Sequence, residues 1–434
     1  MIVRMATQPA YKSVTVQKAT RTRYWVIVFA VTLAILSYFD RVCMSVAAPT
    51  ISKDLGLTKV QMGYIFSSFG IAYALFEVPS GWLGDKLGAR KVLMRIVLWW
   101  SFFITLTGQM RSFGTMLTSQ FFFGAGEAGG FPNLTKAFST WLPQAEKVRA
   151  QGIMWMFARW GGAFTPPLVI LAFKYMSWRY VFASFGALGV VWAIFFYNWY
   201  RDNPRDNKKV NDAELAIIAG SAKLGPGHGD VPWRKLLGSR SVRLLWLQYF
   251  LLSYPWYFYI TWLPTYLQEN RHLTPEQGSH LAVLPLLFGG IGSAVAGFLS
   301  ARLVRLTGSI TRTRRLSACV GFGGAAIMLV ISLNTADPTY AMLFMGLTSF
   351  FNDLVMPGSW ASCMDIGGKY AGTVAGSMNM MGNLAGFAAP LSGGYILRYT
   401  GGNWNSFLYV MATMYLLGTF CWPFIDPVTP IDKE

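Results

Sequence analysis

Charge is scarce in this chain of 434 residues: only 13% are Asp, Glu, Lys or Arg, about half the share of an ordinary soluble domain. With 53% hydrophobic and 16% aromatic residues, the chain has too little polar surface to cover a soluble body of this length, and it is expected to keep most of its surface in a lipid bilayer. Histidine is nearly missing. His228, His272 and His280 are the three present, and all fall in or beside polar links, which argues against a histidine proton relay inside the membrane. The four cysteines, Cys43, Cys319, Cys363 and Cys421, stand singly within apolar runs; without C-x-x-C spacing they read as packing residues rather than metal ligands or disulfide partners. Paired catalytic acids, clustered histidines and Cys-His arrangements are lacking as well, so an enzyme, a metal site and a cofactor are not expected.

Acidic residues are also few, 19 against 37 basic ones, for a formal net charge of +18. That excess would suit nucleic acid, but its placement does not. Arg4, Lys12, Lys18, Arg21 and Arg23 precede the first apolar run; Lys86, Arg90 and Lys91 follow the second; Lys147 and Arg149 follow the fourth; Arg302, Arg305, Arg312, Arg314 and Arg315 follow the eighth. Basic links alternate with lightly charged ones, and the positive-inside rule then puts both termini in the cytoplasm of a multi-pass protein of the inner or plasma membrane. Nucleic acid is not an expected partner.

What is abundant is long apolar runs. Twelve blocks can be counted, at about 24–50, 62–82, 92–110, 114–138, 148–172, 177–200, 242–267, 279–303, 316–333, 338–364, 370–397 and 404–424. Each is long enough to cross about 30 Å of hydrocarbon as a helix. Continuous apolarity rather than period-two alternation favours helices over barrel strands. The first block contains Asp40 and Arg41 and far exceeds a signal-peptide core, so a retained helix is expected. The longest polar interruption, 201–241, carries Pro204, a charge-rich run and a Gly-Pro-Gly-His-Gly stretch, and reads as a linker. The expected organisation is a tail (1–23), a six-helix bundle (24–200), the linker (201–241), a second six-helix bundle (242–424) and a tail (425–434), acting as a monomer.

Weak internal repetition supports two related halves. Gly81-x-Leu83-Gly84 returns as Gly297-x-Leu299-Ser300, Gly162 with Pro166 as Gly386 with Pro390, and Trp178 as Trp404, at offsets of 216, 224 and 226 residues. Such a duplication places a substrate site between the halves near the bilayer midplane.

Four local patterns carry chemistry. Gly81-Trp82-Leu83-Gly84-Asp85-Lys86-Leu87-Gly88-Ala89-Arg90-Lys91 matches, at every defining position, the G-x-L-[GA]-D-x-x-G-x-[RK]-[RK] motif of the major facilitator superfamily. Its glycines permit tight turns and close helix approach, and Asp85 can cap a helix N-terminus or pair with a cation to latch one end of the molecule. In the second-half copy Ala301 replaces the aspartate, so a latch there is expected to be weaker or absent. In the first run, Tyr38, Asp40 and Arg41 lie deep in apolar sequence, where charges facing lipid cost about 2.5 to 3.5 kcal/mol each. Two readings are open: the charges neutralise one another, or Arg41 and Tyr38, three residues apart on one face, hold a carboxylate. The fourth run sets Glu127 in Gly124-Ala125-Gly126-Glu127-Ala128-Gly129-Gly130. It is either a structural acid or a proton carrier whose affinity changes as a neighbouring arginine or anion moves. Finally, Tyr254, Tyr257 and Thr261 in the seventh run, and Asn379 and Asn383 in the eleventh, form stripes of neutral donors and acceptors suited to a hydroxylated ligand. The buried pair Asn352 and Asp353 has no evident purpose.

Together, Tyr38-x-Asp40-Arg41, Gly-x-Gly-Glu127-Ala, Trp262-Leu263-Pro264-Thr265-Tyr266 and Asp365-Ile366-Gly367-Gly368 resemble the anion:cation symporter family of the major facilitator superfamily. The resemblance runs nearly end to end. It implies an all-α membrane fold of twelve helices in two pseudo-symmetric bundles, and proton-coupled symport of a small organic anion, a sugar acid such as a hexuronate, aldonate or glucarate. Arg41 would bind the anion, and Asp40 and Glu127 would couple protons. The alternatives are a facilitator or exchanger for phosphate or a dicarboxylate, and a transporter-derived sensor. One departure stands out: relatives often carry an arginine where this chain has Gln120. Either Glu127 is tuned differently, with Gln120 itself at the site, or Arg159 in the fifth run supplies the charge. Glu77 also stands where relatives often have glutamine.

Overall fold

The computed structural model describes residues 18–57, 59–219 and 233–431. Six membrane spans precede the central linker. They are α1 (Tyr24–Leu55), α2 (Lys59–Leu87), α3 (Ala89–Thr107), the pair α4 (Phe113–Glu127) and α5 (Gly130–Trp141), α6 (Gln144–Phe173) and α7 (Trp178–Trp199). Short α8 (Asp212–Ala219) and α9 (Trp233–Gly238) lie in the linker. Six more spans follow: the pair α10 (Arg240–Thr261) and α11 (Leu263–Glu269), α12 (Pro275–Thr307), α13 (Ile310–Leu333), α14 (Pro338–Gly367), α15 (Ala371–Tyr399) and α16 (Trp404–Cys421).

Two spans expected to be continuous are broken. The fourth run stops at Glu127, passes Ala128 in an extended conformation and Gly129 at φ +86°, and restarts at Gly130. Only glycine takes that φ without strain. The exposed backbone is met by side chains, since Glu77 accepts from Gly129 N (3.3 Å) and Asn133 Nδ2 donates to Gly129 O (2.8 Å). The seventh run breaks at Trp262, where Pro264 enters the first turn of α11; the proline lacks an N–H and starts a helix more readily than it continues one.

Among the described residues, five helices are apolar enough to read as spans by hydropathy alone: Tyr24–Met44, Trp178–Trp199, Leu281–Thr307, Ile310–Leu333 and Trp404–Phe424. The helices that fall short include α2, α6, α10, α14 and α15, all of which contribute to the interior cavity described below, together with α1 and α12. Outside, Phe102, Phe195, Phe298, Phe387 and Phe420 are exposed, an apolar jacket that belongs in lipid.

The halves meet through glycines. Gly81 of α2 lies against Gly372 of α15, and Gly152 of α6 against Gly297 of α12. Without side chains the backbones approach closely. The sequence repeat pairing Gly81 with Gly297 therefore marks two equivalent crossings between the halves, both toward the end of the molecule that carries the basic links. There the N-terminal segment is fixed as well: Glu214 of α8 accepts from Thr22 N and Arg23 N at 3.1 Å each, and Arg23 pairs with Glu146 of α6 at 2.9 Å.

Candidate functional site

A cavity of about 260 Å³ lies between the halves at the mid-length of their helices, lined from α1, α2, α5, α6, α10, α12, α14 and α15. The charged side chains in its lining are Arg41 and Arg159, accompanied by neutral groups that include Tyr38, Tyr73, Tyr257, Asn352, Asn379 and Asn383. A cationic, hydroxyl- and amide-rich chamber suits an anion with polar substituents.

Each arginine has a carboxylate behind it. Arg41 Nε donates to Glu127 Oε1 at 2.8 Å, and the Ser37 hydroxyl donates to the same oxygen. Glu127 is almost fully buried and does not line the cavity, so water or ligand in the chamber meets it through Arg41. The Arg41 guanidinium faces the Tyr73 ring, 4.6 Å from its centroid, and its buried Nη2 has no hydrogen-bond partner among the described residues. Arg159 Nε and Nη2 donate to the two oxygens of Asp353 at 2.9 and 3.3 Å, while Nη1 donates to the Tyr38 hydroxyl at 3.0 Å. Trp256 stacks over the same guanidinium at 3.5 Å.

Several expected residues thus converge: Tyr38, Arg41, Arg159, Tyr257, Asn379 and Asn383 all reach the cavity. Others do not. Gln120 is buried and donates to Thr107 of α3 at 3.2 Å, away from the chamber. Tyr254 bonds Ser392 at 2.5 Å and packs edge-on to Phe407. Asp40 is buried outside the lining, and the side chain of Thr261 lies outside the described residues. Arg159 does not replace the arginine missing at position 120, because its partner is Asp353 and not Glu127. That gives the unexplained Asn352–Asp353 pair a place: Asp353 is the counterion of Arg159, and Asn352 donates to it at 2.8 Å. Glu77 spans the two halves, accepting from Asn379 Nδ2 at 2.7 Å. Trp155, four residues before Arg159, and Tyr73, four before Glu77, share faces with those charges and also line the chamber; helical spacing was the signal for both.

Residues 30–390 match the family model described as Major Facilitator Superfamily. The chain belongs to the Major Facilitator Superfamily. It is 35% identical to the probable sulfoacetate transporter SauU of Cupriavidus necator over 95% of this chain and 96% of the relative. It is 29% identical to the probable galactarate/D-glucarate transporter GudP of Escherichia coli, over 91% of each chain. The human organic anion transporter MFSD10 shares the fold at a TM-score of 0.68 and 16% identity, covering 94% of this chain and 100% of that one. As a superfamily member the chain is a multi-pass membrane transporter and not an enzyme, and the names of these relatives are those of organic-anion transporters.

The superfamily motif at 81–91 closes the basic end. The Asp85 carboxylate accepts from Gly372 N (3.1 Å), Thr373 N (2.6 Å) and the Thr373 hydroxyl (2.6 Å), at the first turn of α15. It also pairs with Lys136 of α5 at 3.1 Å. An anion on unpaired N–H groups at a helix N-terminus is stabilised by both hydrogen bonds and the helix dipole. Gly84 packs against Asn133, and Gly88 takes φ +88° to turn the chain into α3. Arg90 is held by the carbonyl of Tyr197 through Nε (3.0 Å) and Nη2 (2.7 Å), whereas Lys91 is exposed. The second half closes without an aspartate at 301. Asp365, at the end of α14, takes Lys147 of α6 at 3.1 Å and Arg314 of α13 at 2.6 Å, and accepts from Gln144.

Proposed function

We propose that this transporter is a symporter that moves a small organic anion, a sugar acid or a similarly hydroxylated carboxylate, together with protons. The observation that carries the reading is the arrangement at the chamber wall: guanidiniums face the cavity, and each is balanced by a carboxylate buried behind it. Arg41 and Tyr38 hold the substrate carboxylate. When the anion draws Arg41 away, Glu127 loses its counterion in a buried site, where a bare carboxylate is costly, and takes up a proton. Release of the anion returns Arg41 to Glu127 and expels the proton. Asp40, four residues from Met44 and next to Arg41 in α1, is assigned to the same proton exchange. Tyr257, Asn379 and Asn383 supply donors and acceptors to substrate hydroxyls. The names of the relatives, which cite small acids, agree with this class. The halves rock about the site, with the basic end and both termini on the cytoplasmic side of the plasma membrane and the monomer as the working unit.

In proteoliposomes, an inward proton gradient should accelerate uptake of radiolabelled glucuronate, gluconate or glucarate, and Arg41→Ala should abolish it. Glu127→Gln, fixed in the neutral form, should still exchange labelled for unlabelled anion but lose gradient-driven accumulation. Uptake indifferent to pH, with Glu127→Gln unimpaired, would identify a facilitator or exchanger instead.

A further inference from the structure

The geometry points to Arg159 as a second anion subsite in the chamber, one that takes the second charged group of a substrate bearing two oxyanion groups on a short polar skeleton, with Asp353 as the counterion it displaces. This rests on the transport reading above and narrows it from organic anions in general to dianions.

Arg159 is built as Arg41 is. Both guanidiniums line the cavity, both carboxylate partners are buried behind them, and both carboxylates have a serine hydroxyl beside them, Ser37 on Glu127 and Ser293 on Asp353 at 3.5 Å. Arginine has five N–H donors, and three of those on Arg159 are engaged, two by Asp353 and one by Tyr38. Its other two N–H groups make no hydrogen bond among the described residues, and the guanidinium belongs to the cavity lining. Stacking on Trp256 keeps the guanidinium plane fixed while its edge changes partner.

The two cations are close. Tyr38 touches both: its hydroxyl accepts from Arg159, and its ring centroid lies 5.9 Å from the Arg41 guanidinium carbon. A compact molecule with charge at both ends can therefore engage both. A single carboxylate on Arg41 leaves Arg159 with Asp353. A second oxyanion competes for the same donors, and the displaced Asp353 is not stranded, because Asn352 of α14 and Ser293 of α12 still donate to it.

The two pairs differ in one respect that bears on transport. Arg41 and Glu127 belong to the same half, whereas Arg159 (α6) and Asp353 (α14) join opposite halves. Occupation of the second subsite breaks a tie between the bundles, so the second charge both adds affinity and frees the halves to move.

The test uses full-length protein in nanodiscs and isothermal titration with ligand pairs that share a skeleton and differ by one carboxylate: gluconate against glucarate, and butyrate against succinate. Wild type should bind at least one diacid tighter than its monoacid by about tenfold or more, the contribution of one charge-assisted contact. Arg159→Gln should bring that ratio to about one, and Arg159→Lys, which keeps the charge without the fork, should restore part of it. Arg41→Gln should weaken diacid and monoacid alike. A ratio near one in wild type, or Arg159→Gln and Arg159→Lys lowering both ligands by the same factor, would overturn the inference and leave a mere brace, with anion transport intact. Binding of neither class, with no accumulation of either in proteoliposomes, would overturn the transport reading along with it.

Discussion

Replacing Asp85 by Asn tests the latch at the basic end most directly. The carboxylate accepts three hydrogen bonds from Gly372 and Thr373 and pairs with Lys136, all inside a buried contact between the halves. Asparagine is nearly the same size and keeps one acceptor oxygen. It loses the negative charge and at least one charge-assisted bond, about 1.5 to 3 kcal/mol. It also loses the favourable interaction of an anion with the N-terminus of α15, about 0.3 to 1 kcal/mol. Lys136 is not left wholly bare, since it also donates to the carbonyl of Lys369. The closed basic end should therefore be weakened by about 2 to 4 kcal/mol, a shift of roughly 30-fold to 1000-fold in the ratio of closed to open forms. Spin labels at Leu87 and Leu306, exposed at the basic ends of α2 and α12, report that ratio by pulsed electron paramagnetic resonance in protein cleared of its four cysteines. Asp85→Asn should add or enlarge a long-distance population, and Asp85→Glu should do so less. If the distance distribution is unchanged in both Asp85→Asn and Asp85→Ala, the aspartate does not hold the halves together and the reasoning fails.

At the second crossing, a Cβ on Gly152 would lie 2.5 Å from the Ser293 carbonyl oxygen and 2.7 Å from the Gly297 Cα, closer than real contacts allow; Gly152→Val should open the basic end in the same label experiment and slow uptake by about tenfold or more. Glu214→Ala removes the buried acceptor of Thr22 and Arg23, so trypsin should cut after Arg21 or Arg23 at least about tenfold faster than in wild type, with the rest of the chain intact. Glu77→Gln keeps a carbonyl for Asn379 but gives up an acceptor for either it or Gly129 N; a loss of about 1 to 2 kcal/mol in stability, read by thermal unfolding with uptake retained, would mark Glu77 as a brace.

The parts of this architecture carried by local pattern were readable in the chain. Runs of apolar residues located all twelve spans, and the glycine spacing of 81–91 located the turn and the close crossing of α2 with α15, because a turn and a close approach require those residues at those positions. The repeat went further than expected: Gly162 and Gly386, matched by offset, each face a tyrosine, Tyr38 and Tyr257, and those tyrosines bond Arg159 and Asn383, themselves a matched pair. Partner choice was not readable. Arg159 and Asp353 lie 194 positions apart, and nothing in either neighbourhood names the other. Helical stripes misled in a different way. Tyr254 and Tyr257 are three residues apart, which leaves about 60° between them around the axis, enough to turn Tyr254 onto Ser392 while Tyr257 faces the chamber. The break at Ala128 and Gly129 was hidden because glycine permits an interruption without announcing one, and whether it occurs depends on Glu77 and Asn133 meeting the freed backbone.

The pairing of each wall arginine with its own carboxylate has an electrical consequence. A charge dragged through the membrane potential costs about 2.3 kcal/mol per 100 mV, yet Arg41 with Glu127 and Arg159 with Asp353 each sum to zero. With nothing bound, these four groups carry no net charge through the membrane potential, so in the proposed cycle they add nothing to the current that cargo and protons would carry.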